Sequence, residues 1–77
     1  MSDLYDSKYI AENVYHLRKK RFGISQEAFS EKTNLSKDTV SNIERGVYKP
    51  NIDTLVSISN ATGVSLEYFF QELPKEG

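Results

Sequence analysis

Apolar residues recur three and four positions apart along most of the chain, and short polar clusters break the pattern at regular intervals. Ile10, Val14 and Leu17 fall on one face of a helix expected over about 8–21. Ala28 and Phe29 give the inward side of a second helix, about 26–32, and Val40 and Ile43 that of a third, about 37–45. Ile52, Leu55, Ile58 and Ala61 mark a fourth helix after Pro50, capped by Asn51 and stopped by Gly63. Leu66 and Phe69 face inward from a fifth, about 66–72, which Pro74 closes. No stretch alternates with period two for long enough to make a strand.

One device repeats at three of these starts. Ser25 stands between Ile24 and Phe29, Ser36 between Leu35 and Val40, and Ser65 between Val64 and Phe69. Each serine is expected to accept an otherwise unpaired helix amide, while the flanking apolar pair staples the incoming chain to the first turns. Gly46 is expected to supply the left-handed residue that ends the third helix.

At 77 residues the chain has room for one domain, read as 8–73, with a frayed segment at 1–7 and a tail at 74–77. Its core is small for its surface, and without cysteine it has no covalent staple, so self-association is an expected source of stability. The same lack removes thiolate metal sites and cysteine nucleophiles. His16 is the single histidine, too few for a metal site, and there is neither a glycine-rich phosphate loop nor an acid–base cluster. The reading is therefore a chain with no cofactor and no catalytic role. No apolar run approaches a membrane span and no signal-peptide pattern is present, so a soluble, cytoplasmic protein without membrane contact is expected.

The net charge of −1 conceals a polarised distribution. Between Arg18 and Lys49 lie eight basic residues against four acidic ones, and the remainder carries two against seven. A basic middle between acidic ends suits local attraction to phosphate with little non-specific adhesion. It also suits an unevenly charged solvated surface.

The two helices before and after Thr33-Asn34-Leu35 have the lengths and separation of a helix-turn-helix, whose second helix enters the DNA major groove. The outward side of that helix carries Lys37, Asp38, Ser41, Asn42 and Arg45, with Thr39 at its edge. Lys and Asn are donors that read guanine and adenine edges. On residue types alone, DNA reading and an ordinary helical hairpin remain equally open.

The motifs narrow this. Ile24-Ser25-Gln26-Glu27-Ala28-Phe29, Leu35-Ser36, Val40-Ser41-Asn42-Ile43-Glu44-Arg45-Gly46 and Lys49-Pro50 resemble the Xre family of Cro and phage-repressor type regulators. Val64-Ser65-Leu66-Glu67 with Phe69 resembles that family's ending, and the likeness covers about residues 10–70. The resemblance implies an all-α, compact, five-helix lambda-repressor-like domain with the helix-turn-helix in helices 2 and 3. It implies base-facing roles for Lys37, Asp38, Thr39, Ser41 and Asn42, and phosphate contacts by Ser25, Gln26, Arg45, Tyr48 and Lys49. It further implies a structural ion pair between Glu44 and an arginine of helix 1. Arg18 is the preferred partner, because the apolar register decides which face is buried and a guanidinium fork pairs bidentately with a carboxylate, although the link from it to Ser25 is then one residue longer than the family's usual link; counting back from Ser25 selects Lys19 instead.

Tyr68, Phe69 and Phe70 are consecutive, so one small core cannot take all three; Tyr68, Phe70 and Leu73 are expected to form an exposed dimer patch, the alternative being that Phe70 folds back onto helix 4. The expectation is a homodimeric repressor on a near-palindromic double-stranded operator. A restriction-modification controller, a mobile-element repressor, an antitoxin bound to a toxin and an adaptor without DNA affinity stay open as settings.

Overall fold

A computed structural model describes residues 7–72, and among these the secondary structure is entirely helical. Helix α1 (Ser7–His16) runs without interruption into a π turn, Leu17–Phe22. Helices α2 (Gln26–Thr33), α3 (Lys37–Glu44) and α4 (Ile52–Thr62) follow, and a short 3₁₀ helix, Leu66–Phe70, comes last. Helix α1 packs on α3 and on the 3₁₀ segment, while α2 packs on both α3 and α4. Ile10, Val14, Leu17, Phe29, Val40, Ile43, Leu55, Ile58, Val64 and Phe69 meet in a single core to which every element contributes.

The helix starts follow from local chemistry. Ser25 Oγ accepts from the Ala28 amide at 3.1 Å and Ser36 Oγ from the Thr39 amide at 3.0 Å. Asn51 Oδ1 caps α4 by accepting from the Thr54 amide at 2.9 Å. Ser65 departs from the pattern, because its side chain makes no capping bond. The Tyr68 amide donates instead to the Ser65 carbonyl at 3.1 Å, the tighter i to i+3 spacing of a 3₁₀ turn.

The fold thus has four α-helices among the described residues, with a 3₁₀ segment where a fifth was expected. Fully buried Asn13 supplies the reason: its Nδ2 donates to the carbonyls of Phe69 (3.2 Å) and Gln71 (2.7 Å), and to Tyr9 O (2.9 Å). So short a helix could bond few of its own carbonyls, and α1 satisfies them from outside. The first helix also differs from expectation, ending in a π turn whose wider spacing absorbs one residue between the buried Leu17–Arg18 step and the Ser25 cap. Gly23, at φ +62°, closes it, with the Gly23 and Ile24 amides both on the Arg18 carbonyl. Ile52, expected inward, is exposed, because the first turn of α4 projects beyond the edge of the core that Leu55 and Ile58 fill. Ala61 is half-buried.

Candidate nucleic-acid interface

The turn between α2 and α3 is a closed hydrogen-bonded unit. Asn34 is left-handed (φ +63°); its amide reaches the Glu31 carbonyl at 3.4 Å, and the Leu35 amide reaches the Ser30 carbonyl at 2.9 Å. These are the two bonds of a Schellman motif, and Asn is among the few non-glycine residues that tolerate the position. Leu35 packs against the core and sets the angle at which α3 leaves the turn. Gly46 repeats the device after α3: its amide bonds Ile43 O at 3.0 Å, and the Val47 amide bonds Asn42 O at 3.1 Å. The Tyr48 amide shares Asn42 O at 3.2 Å, so the loop that carries Tyr48 and Lys49 is folded onto the end of α3.

A buried ion pair ties the unit to α1. Arg18 Nε donates to Glu44 Oε2 at 2.6 Å, Arg18 Nη2 to Glu44 Oε1 at 2.9 Å, and Arg18 Nη1 to the Ile24 carbonyl at 2.9 Å. This is a two-point fork on a carboxylate. The Glu44 hydrogen bond holds the guanidinium above its ordinary pKa, against a smaller opposing effect of burial. Gln26 Nε2 donates to Glu44 Oε1 at 3.1 Å, so the π turn, the start of α2 and the end of α3 converge on one carboxylate.

Around this junction the residues singled out above distribute as follows. On α3, Lys37, Asp38 and Arg45 are exposed, and Thr39, Ser41 and Asn42 are half-exposed. Thr39 Oγ1 accepts from the Ser36 hydroxyl at 2.8 Å. Lys37 and Asp38 stand at the start of the eight-residue α3 and Arg45 at its end, roughly 12 Å apart along the axis. Ser25 is exposed and Gln26 partly so at the start of α2, brought beside the Arg45 end through Glu44. Tyr48 and Lys49 are exposed in the following loop.

The aromatic patch has a different disposition from the exposed one expected. Tyr68 and Phe70 are each half-buried against the chain's own core, and Leu73 lies outside the described residues. Tyr68 meets Phe69 edge-on at 5.6 Å, and its hydroxyl lies 3.3 Å from His16 Nδ1. The large apolar side chains most open to solvent are Val47 (65%), Ile52 (49%) and Tyr15 (45%), then Tyr48 and Val56. Sequence reasoning missed Asn13, whose polarity disguises a core position, and Tyr15, which stacks beneath Arg18 with the guanidinium carbon 5.4 Å from its ring centre. The three-residue spacing of Tyr15 and Arg18 on one helix was the available signal.

Among the described residues no cluster of histidine and acid side chains has the makings of a metal site, and no helix is long and apolar enough to cross a membrane.

Comparison with known proteins gives a consistent result. Residues 14–69 match the model of the helix-turn-helix family HTH_3. The chain is 36% identical over 50 residues to the HTH-type transcriptional regulator ImmR of Bacillus subtilis, covering 65% of this chain and 39% of that protein. It is 33% identical over 60 residues to Control protein C.MunI of a Mycoplasma species, covering 78% and 81%. The crystal structure of an HTH_3 family transcriptional regulator from Vibrio cholerae superposes with a TM-score of 0.79 at 36% identity, over 90% of this chain and 38% of that one. The chain therefore spans about two fifths of the length of ImmR and of the Vibrio protein.

Proposed function

The chain belongs to the helix-turn-helix family HTH_3, a family of regulators and not of enzymes, and from that premise we propose that it binds double-stranded DNA sequence-specifically as a homodimeric transcriptional repressor. The observation that carries this reading is the α2–turn–α3 unit, pinned by the Arg18–Glu44 pair, with a side of α3 made of hydrogen-bonding side chains. A face that only needed solvation would serve as well with long charged residues in paired spacing. Helix α3 with Arg45, residues 37–45, enters the major groove N-terminus first. Lys37 and Asn42 read base edges, Asp38 selects by accepting from cytosine or excluding other bases, and Thr39 and Ser41 contact bases or the adjoining backbone. Ser25, Gln26, Arg45, Tyr48 and Lys49 hold phosphates, with Ser25 and Gln26 at a helix start that favours an anion.

One module of this size buries roughly 600–1,000 Å² on DNA, and a good bidentate base contact discriminates by about 1–3 kcal/mol. Two copies on a two-fold axis double both quantities and read half-sites about one helical turn apart. The apolar side chains offered for self-contact are the exposed Ile52 and Val56, one turn apart on α4, and the half-exposed Tyr68 and Phe70. Occupying a promoter then suffices for repression.

Selection of bound duplexes from a random DNA pool by the purified chain tests the reading. Enrichment of a two-fold-symmetric site is expected. Recovery of unselected DNA by a folded chain overturns it. Within the enriched site, Asn42→Ala relaxes preference at one or two base pairs, whereas Lys49→Ala weakens all sequences alike and lowers the salt slope by about one. Identical profiles for the two variants would contradict that division of roles.

A further inference from the structure

We propose that Tyr15 is a phosphate contact contributed by α1, its hydroxyl donating to the backbone strand engaged at the start of α2. This rests on the DNA-binding reading above.

Tyr15 is the large aromatic that α1 leaves in solvent, 45% exposed, although buried Asn13, Val14 and Leu17 surround it in sequence. Its ring has a definite seat: the Arg18 guanidinium carbon lies 5.4 Å from the ring centre. Arg18 is itself held by two bonds to Glu44 and one to the Ile24 carbonyl, immediately before the Ser25 cap. Tyr15 therefore stands one guanidinium away from the α2 start, at the solvent edge of the junction where α1, α2 and α3 meet. Gln26 approaches the same Glu44 carboxylate from the α2 side.

Two physical features suit this position to a phosphate oxygen. A ring seated against the buried Arg18–Glu44 pair presents its hydroxyl with little rotamer entropy to lose, since tyrosine has only two χ angles. Tyrosine is a regular donor among backbone contacts, which make up half to two-thirds of protein–DNA hydrogen bonds. Because the contact is made by a neutral group to a phosphate, it adds affinity without sequence preference and without releasing a counterion.

The test uses the full chain and the duplex enriched from the random pool. Tyr15→Phe keeps the ring over which Arg18 packs and removes only the hydroxyl. Its expected effect is about tenfold weaker binding to every duplex tested, with an unchanged salt slope and an unchanged melting temperature. A single methylphosphonate per half-site, scanned along the strand, is expected to weaken the wild-type chain at one position where Tyr15→Phe is insensitive. A structural role for Tyr15 does not produce that pairing. Wild-type affinity in Tyr15→Phe, or equal sensitivity of both proteins at every methylphosphonate position, overturns the assignment while leaving DNA binding intact. A wild-type chain that binds no duplex overturns the parent reading and this one together.

Discussion

Replacing Glu44 by alanine should cost this protein more stability than any other single change outside its apolar core. The carboxylate accepts from Arg18 Nε at 2.6 Å, from Arg18 Nη2 at 2.9 Å and from Gln26 Nε2 at 3.1 Å. The two charged side chains are only 9% and 5% exposed, so water cannot step in when one is removed. In Glu44→Ala the guanidinium stays buried with the Ile24 carbonyl and the Tyr15 ring as its remaining neighbours. Leaving one member of a buried pair uncompensated costs about 3–5 kcal/mol. A chain of this length has a total stability of roughly 4–12 kcal/mol, so the loss takes a large share of it. At about 4–8 °C per kcal/mol the melting temperature should fall by roughly 12–40 °C, read by far-ultraviolet circular dichroism. Paired replacement by apolar residues, Arg18→Met with Glu44→Leu, removes both the attraction and the desolvation cost and should return to within about 2 kcal/mol of wild type. If Glu44→Ala melts within about 5 °C of wild type, the pair is a surface interaction in effect and the reasoning from burial fails.

Three further perturbations probe separate parts of the fold. Asn13→Ala strips the Phe69 and Gln71 carbonyls of the donor they share and should cost about 2–3 kcal/mol, with faster amide hydrogen exchange in 66–70 than in α2. Equal exchange in the two regions would separate Asn13 from the 3₁₀ segment. Gly63→Ala meets no atom within 4 Å, yet φ is +84°, so it isolates backbone strain of about 1 kcal/mol. Its melting temperature should drop by about 4–8 °C, and no drop at all would mean the turn relaxes freely. Burial raises the pKa of the Tyr68 hydroxyl, with the Arg21 charge acting the other way. The folded chain then keeps a proton that the unfolded chain releases near pH 10. Its contribution is complete below about pH 10 and is lost as pH rises through the folded value. Tyr68→Phe should flatten that part of the alkaline limb in urea midpoints, and an unaltered limb would assign the loss to other groups.

Where the sequence was readable, local chemistry was decisive. Ser25, Ser36 and Asn51 cap helices because a short oxygen-bearing side chain before an apolar-periodic run has few better bonds to make. Ser65 has the same sequence surroundings yet makes no capping bond, and the 3₁₀ segment it opens is held at its far end by a distant residue, Asn13. Ile52 fits the apolar spacing of α4 as well as Leu55 does, but only the placement of α2 against α4 determines how far along that helix the core extends. Tyr68 and Phe70 could not be apportioned between core and surface by periodicity, since a 3₁₀ segment turns its side chains differently from an α-helix.

The order of helices, the caps at Ser25, Ser36 and Asn51, the polar side of α3 and the helix-turn-helix spacing were thus determined by the sequence alone, because each depends on residues within one or two turns of one another. The apolar register already favoured Arg18 over Lys19 as the partner of Glu44, and the packed helices bring the two together; only the tertiary structure decided that Asn13 is a buried clip. It also decided that Tyr15 lies at the junction beside the α2 start. For the Arg18–Glu44 pair and the Asn13 clip the physical reason is sequence separation: contacts between residues 26 and 56 positions apart exist only once the helices have packed. The seat of Tyr15 follows from the first of these, since its ring meets the guanidinium that Glu44 holds.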